Sequence, residues 1–271
     1  MFTLHHGLSH PRLGYGTYQL LPEAQAYESI SYAIKKGIRH FDSAIIYRNE
    51  KALGEAIRDS GLAREDFFVT SKCPPHIKTR DGVFRMFERS LKNTGFDYFD
   101  AYILNAPGPF DDLDGDYDEG NVEAYQALET LYQEGRVRAI GVSQFKERHI
   151  QLILDRCTLV PHIQQISFFV GHIQKELVAL CQQHGIHIQA FSPLGKGYLL
   201  HNPILLDVAQ KLNLTPAQVA LAYILTKGHA PIPKATSFEH IDELAQADVT
   251  LPQDIVEQLD QIIDDPRQYN D

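Results

Sequence analysis

The chain carries no excess of positive charge: 25 Lys and Arg stand against 35 Asp and Glu, for a formal net charge of −10. Without a positive field there is nothing to hold a polyanion, which argues against nucleic acid or an anionic membrane as a main partner. A small-molecule site fits better. Cysteine is also scarce. Cys73, Cys157 and Cys181 form no CxxC and no even framework, which excludes a disulfide scaffold and suits a reducing compartment. The first residues, "MFTLHHGLSHPRLG", lack a basic n-region followed by an apolar h-region, so no secretory signal is expected. Nor is there a run of about eighteen apolar residues that could span a membrane. No Pro-, Gly- or Ser-rich linker divides the 271 residues, and the expectation is a cytoplasmic protein with one domain over residues 1–271.

Against these absences stands a regular alternation. "EAQAYESISYAIKK" places Ala26, Ile30, Ala33 and Ile34 at helical spacing, and Gly37 closes the segment. Short apolar runs then alternate with amphipathic ones: "GIRHFD", "DFFVTSK", "FDAYILN", "VRAIGVS", "PHIQQI", "IHIQAFS" and "API" read as strands, with helical patterns between them. The last of these patterns is a closing helix near Ser237 to Ala247. With a first strand at "RLGYGT", the count reaches eight. Such alternation implies parallel pairing with right-handed crossovers, and eight units in roughly 250 residues is the size of a (β/α)8 TIM barrel. A doubly wound dinucleotide fold would carry a glycine fingerprint after its first strand, where "GYGTYQL" places Gln19 in the third glycine position. The opening "FTLHHGLSHPRL" suits a short β-hairpin ahead of the barrel.

In such a barrel the C-terminal strand ends form the active face. Asp42 ends the second strand with Tyr47 in the loop beyond it, Lys72 ends the third, and Asn105 ends the fourth in "ILNAP". Each residue alone has an ordinary reading: a loop cap, a rim aromatic, a snorkelling lysine, a turn-starting amide. Together they bring a carboxylate, a phenol, an ammonium and an amide to one mouth. A phenol is a poor acid at neutral pH, and a neighbouring ammonium, itself held by a carboxylate, is expected to lower its pKa. That is a design for a general acid serving a developing alkoxide.

"GIRHFDSAIIYRNEKALGEAI" resembles the signature of the aldo-keto reductases. The likeness continues through "FFVTSK", "ALETLYQEGRVRAIGVSQF", "IQQI", "AFSPLGKG" and "IPKATSFEHIDE". The resemblance implies an eight-stranded α/β barrel that reduces aldehydes and ketones with NADPH, with catalytic roles for Asp42, Tyr47 and Lys72. The fourth catalytic residue of the family is normally His, in a strand end like "IHWP"; here "LNAP" puts Asn105 there and Ala106 in place of tryptophan. An amide donates a hydrogen bond but does not titrate. Asn at this position also occurs in relatives that act chiefly as regulatory subunits. The resemblance therefore implies either a carbonyl reductase or an NADP(H)-binding sensor with vestigial activity. A third reading, a Schiff-base lyase using Lys72, is opposed by Asp42, which should keep that lysine charged.

The same resemblance assigns cofactor contacts to Ser143, Gln144, Gln165 and Phe191 around the nicotinamide, and to Ser192 and Leu194 at the pyrophosphate. Thr17 and Tyr18 fall beneath the nicotinamide ribose, and Asp42 is shared with catalysis. Lys234, Thr236, His240 and Glu243 fall at the 2′-phosphate end, where Thr236 and Glu239 have capping-box spacing. His240 replaces an arginine, and losing that fork weakens planar recognition of a phosphate, so NADPH is expected with NADH possible. No metal is expected. The acidic "DDLDGDYDEGN" places Tyr117 where a calcium loop needs glycine. His5, His6 and His10, and the pair His184 and His187, have no partners at metal-ligand spacing along the chain. Cys73 should point away from Lys72 on its strand.

Overall fold

The computed structural model describes residues 1–263. Two short strands come first, β1 (Phe2–Thr3) and β2 (Ser9–His10), paired antiparallel as the expected hairpin. Eight parallel strands follow: β3 (Tyr15–Gly16), β4 (His40–Asp42), β5 (Phe68–Cys73), β6 (Phe99–Leu104), β7 (Val137–Ser143), β8 (Ile163–Ser167), β9 (His187–Phe191) and β10 (Ala230–Ile232). Their order in the sheet is their order in the chain. The seam between β10 and β3 is closed by backbone N–H groups, Gly14 donating to Pro231 O at 2.9 Å and Gly16 to Pro233 O at 2.8 Å. A Cβ on Gly16 would come within 3.1 Å of the Ile232 carbonyl oxygen, so a residue without one lets the barrel close. This is the (β/α)8 barrel with its N-terminal hairpin.

The helices are α1 (Glu23–Lys35), α2 (Glu50–Asp59), α3 (Arg80–Thr94), α4 (Asp118–Gln133), α5 (Glu147–Arg156), α6 (Lys175–Gln183), α7 (Pro203–Leu212), α8 (Pro216–Thr226), α9 (Phe238–Ala245) and α10 (Gln253–Leu259). Their boundaries follow local chemistry. In α1 the apolar stripe Ala26, Ile30, Ala33 and Ile34 is buried. Thr79 caps α3, which ends at Gly95 with a left-handed φ of 69°. Thr215 and Gln218 form a capping box on α8, with Pro216 in the first turn. Two features differ from the sequence reading. The cap of α9 is Ser237, whose Oγ accepts from His240 N–H at 3.2 Å, so the cap falls one residue beyond the expected Thr236 of a Thr236–Glu239 box. The chain also continues past α9 into α10, which buries Ile255, Val256 and Leu259.

Most of the core lies between the strands and the surrounding helices. A smaller cluster of Leu4, Phe68, Ala101, Ala139 and Ile163, with Leu8 packed on it, fills the N-terminal end of the barrel. Leu4 and Leu8 come from the hairpin, so the hairpin plugs the floor and leaves the C-terminal mouth open. Among the described residues no helix is long and apolar enough to cross a membrane.

Candidate active site

Strand register sets the first part of the site. Asp42 of β4 pairs with Thr70 of β5, and Lys72 lies two residues further along the same strand, on the same inward face. The Lys72 side chain is 2% exposed and that of Asp42 8% exposed, and the two form a short ion pair through Lys72 Nζ and Asp42 Oδ1. The ammonium also donates to Ser43 O at 3.0 Å and to the Tyr47 hydroxyl at 3.3 Å. Tyr47 ends a short 3-10 turn, Ile45–Tyr47, after which Arg48 takes a left-handed conformation. Burial works to lower the Lys72 pKa, but Asp42 and Tyr47 outweigh it and hold the ammonium above the usual lysine range. A lysine so held is charged and is no nucleophile.

For Tyr47 the outcome differs from the sequence expectation. Burial pushes its hydroxyl above the ordinary phenol range, outweighing the opposite pull of Lys72, with Asp42 adding to the rise. The sequence supplied the ammonium but not the desolvation. At neutral pH the group is therefore a phenol that holds its proton beside an ammonium. Cys73, adjacent to Lys72 in sequence, faces the outer core, where burial pushes its thiol up to about 12.

Asn105 follows β6, and its backbone N–H extends the ladder to Cys73 O at 3.0 Å. Its side chain is buried and lines the same cavity as Asp42, Tyr47 and Lys72. The amide Nδ2 has no hydrogen-bond partner among the described residues. The loop beyond it is held by other groups. Lys78 Nζ donates to Ala106 O at 3.3 Å, Pro107 O at 2.8 Å and Asn121 Oδ1 at 2.6 Å, while Asn121 Nδ2 donates to Pro107 O at 2.9 Å. Burial pulls the Lys78 ammonium down to about 8, and these three oxygens compensate it. Lys78→Met should therefore lower stability by about 1–3 kcal/mol, because buried acceptors lose their donor; urea denaturation measures it, and an unchanged midpoint would contradict this bracing role.

The other sequence-assigned residues separate into two groups. Tyr18, Ser143, Gln144, Gln165, Phe191, Ser192, Leu194 and Lys234 line the cavity, whose volume is ≈ 860 Å³. Thr17, Thr236, His240 and Glu243 do not. Thr17 is buried, its hydroxyl placed for Asp42 O at 3.1 Å and Asn49 Oδ1 at 3.2 Å, so its side chain braces the site from behind. Thr236 and His240 are exposed at the start of α9, with half-buried Glu243 further along. Gln165 Nε2 donates to Asp42 Oδ2 at 2.5 Å and to Gln189 Oε1 at 2.9 Å. Sequence reading missed Asn49, whose amide donates to Thr17 O at 2.7 Å and Leu20 O at 3.2 Å and joins β3 to the Tyr47 loop. It also missed Phe110, a 53% exposed aromatic at the cavity rim; the available signal was an apolar ring in the loop after the fourth strand.

A barrel whose C-terminal mouth gathers a carboxylate, an ammonium, a phenol and an amide defines the class of α/β-barrel enzymes. Comparison with known proteins narrows the class. The model of the "Aldo/keto reductase family" matches residues 12–264. The "uncharacterized oxidoreductase YtbE" of Bacillus subtilis is 39% identical over 263 residues, covering 95% of this chain and 91% of the relative. The glyoxal reductase of the same organism is 36% identical over 265 residues, covering 97% and 93%. In three dimensions the chain is similar to MGS-M4, an aldo-keto reductase from a Medee basin deep-sea metagenome library. Their TM-score is 0.89 at 30% identity, with 96% of this chain and 93% of that one covered. The chain belongs to the aldo/keto reductase family and is an NAD(P)H-dependent oxidoreductase.

The donor set suits a nicotinamide dinucleotide. An unpartnered amide and the Ser143 and Gln165 side chains line the inner cavity. The segment from Ser192 to Gly197 lines it too, with left-handed φ at Ser192, Gly195, Lys196 and Gly197, a backbone type that forms anion-binding nests. Lys234 lines the same cavity and adds a cation to it.

Proposed function

We propose that this protein reduces the carbonyl group of a small aldehyde or ketone, using NADPH in preference to NADH, with Tyr47 as the general acid. The observation that carries the reading is the Tyr47 hydroxyl 3.3 Å from the ion-paired Lys72 ammonium, in one cavity with the unpartnered Asn105 amide. When bound, the cofactor supplies the hydride. The protein's part is to hold the carbonyl oxygen and give it a proton. Asn105 Nδ2–H donates to the oxygen as it gains charge, and Tyr47 transfers its proton to it. Lys72 stabilises the tyrosinate that remains, and Asp42 keeps Lys72 charged and oriented. Asn49 and Thr17 hold the Tyr47 loop and the Asp42 backbone in register.

Ser143, Gln144, Gln165 and Phe191 hold the nicotinamide end in this reading, and the Ser192–Gly197 turn takes the pyrophosphate. Tyr18 lies beside Tyr47, with ring centroids 5.1 Å apart, and covers the ribose side. Thr236, His240 and Glu243, outside the cavity, serve the adenosine end together with Lys234. We assign this activity to residues 1–271 acting as one unit. The test is turnover of the purified full chain against a panel of aldehydes and ketones with each nicotinamide cofactor. Cofactor oxidation that depends on the carbonyl is expected. Tight NADPH binding without oxidation across the panel would move the assignment to a cofactor sensor, the reading that Asn105 in place of a titrating histidine also allows.

Cofactor choice gives a second expected result. Lys234→Met should narrow the ratio of kcat/KM for NADPH over NADH by about tenfold, since a charged hydrogen bond to a phosphate contributes roughly 1.5–3 kcal/mol. Steady-state kinetics with both cofactors measure it. An unchanged ratio would remove Lys234 from phosphate recognition and point to His240.

A further inference from the structure

The segment that leaves β5 after Lys72 delivers a second cation, Lys78, to the turn that follows β6. Its half-buried stem lies against the first turn of α4, where a Cβ on Gly120 would meet Lys78 Cβ at 2.7 Å and Cγ at 3.1 Å. The glycine lets the lysine pass. The three N–H groups of the ammonium match three oxygens, Ala106 O at 3.3 Å, Pro107 O at 2.8 Å and Asn121 Oδ1 at 2.6 Å, and Asn121 Nδ2 closes the cluster by donating to Pro107 O at 2.9 Å. We infer that Lys78 is a positioning residue for carbonyl reduction, fixing through the Ala106 and Pro107 carbonyls the direction in which Asn105 presents its amide to the substrate oxygen. The inference rests on the reading of Asn105 as the donor to that oxygen.

Asn105 Nδ2 is buried and has no hydrogen-bond partner among the described residues, so no bond from that nitrogen to the protein aims it. Its direction is inherited from the backbone that carries it. On the strand side this backbone is held by the ladder, Asn105 N–H donating to Cys73 O at 3.0 Å. On the loop side Gln144 Nε2 donates to Asn105 O at 3.2 Å, which fixes the peptide between Asn105 and Ala106. Beyond it the local sequence offers little, since Ala106 has only a methyl group to pack and Pro107 has no N–H to donate. Both residues are buried, and buried carbonyls need donors. Lys78 meets that need for both, and so fixes the next two peptides of the turn. An ammonium does this more firmly than a neutral donor, because charge-assisted hydrogen bonds are roughly twice as strong.

The two lysines of one segment thereby divide the work of the mouth. Lys72 serves the proton donor, Tyr47, and Lys78 serves the hydrogen-bond donor, Asn105. A brace that is only structural would change stability and leave the rate of the folded fraction alone, whereas a positioning residue changes that rate and does so only while Asn105 is present.

The test is single-turnover reduction of an aldehyde by the NADPH-loaded full chain, with NADPH affinity measured on the same preparations, for Lys78→Met, Asn105→Leu and the double variant. Lys78→Met should slow reduction by about ten- to hundredfold in the folded fraction, the scale of a small misplacement of a reacting group, with NADPH affinity unchanged. On the Asn105→Leu background the same substitution should cost nothing further, since residues that act through one another are non-additive. Gly120→Ala keeps the charge but pushes the lysine stem aside, and Ala is favoured over Gly in a helix. It takes the place of Lys78→Met on both backgrounds if that variant does not fold. A wild-type rate in the lysine variant, or an equal slowing on both backgrounds, would overturn the inference while a slow Asn105→Leu leaves the reading beneath it intact. Asn105→Leu at the wild-type rate would remove both.

Discussion

Asn105→Leu should lower the single-turnover rate of carbonyl reduction by about two to three orders of magnitude, the effect of removing one preorganised oxyanion donor. The amide Nδ2 is buried without a partner, and an unmet donor in such a place is unfavourable unless something in the working state accepts from it. A carbonyl oxygen gaining negative charge is that acceptor. The competing account makes Asn105 a turn residue before Pro107, and it predicts a stability loss of the order of 1 kcal/mol with an unaltered rate in the folded fraction. The hydrogen bonds around that turn argue otherwise, since Lys78 and Asn121 satisfy the Pro107 carbonyl. Asn105→His should preserve or raise turnover, because imidazole restores a donor of similar reach. Thermal melts and single-turnover kinetics on the same samples distinguish the two accounts.

The barrel was legible because every strand is short, apolar and followed by an amphipathic helix, so eight repeats of one local pattern carry the topology. The mouth was legible for a related reason. A polar residue that ends an inward-facing apolar run, as Asp42, Lys72 and Asn105 do, is placed by the strand itself. What stayed hidden depends on contacts between distant parts of the chain. Asn49 looks like any loop amide until Thr17 and Leu20 are folded against it. Lys78 looks like a surface lysine until Ala106, Pro107 and Asn121 surround it. The direction of the Tyr47 shift was missed because its neighbour Lys72 can be read from sequence, whereas burial cannot. Ser237 shows the limit of motif matching: Thr and Ser are adjacent, both can cap, and only the backbone decides between them.

Tyr47→Phe carries the largest expected effect, a fall in reduction of about two to four orders of magnitude, as for loss of a positioned acid. The ring and its contact with Tyr18 remain, so cofactor affinity should hardly change. Because burial holds the hydroxyl above the ordinary phenol range, with Lys72 pulling the other way and Asp42 adding to the rise, the acid keeps its proton at neutral pH and through mildly alkaline conditions. The wild-type reduction rate should therefore show no loss of this group between about pH 6 and about pH 9. Alcohol oxidation, which needs the phenolate, should climb as pH rises over the same interval. A titration in the neutral range that disappears in Tyr47→Phe would contradict the direction of the shift.

The most direct test of the account is a single-turnover experiment on wild type and Tyr47→Phe, with NADPH preloaded and an aldehyde mixed in. NADPH affinity is measured on the same preparations by fluorescence. The predicted result is equal affinity, with carbonyl-dependent NADPH oxidation in the wild type and at least about a hundredfold slower oxidation in the variant. Oxidation by Tyr47→Phe at the wild-type rate, with affinity unchanged, would contradict the assignment of Tyr47 as the acid that makes this mouth a carbonyl-reducing site.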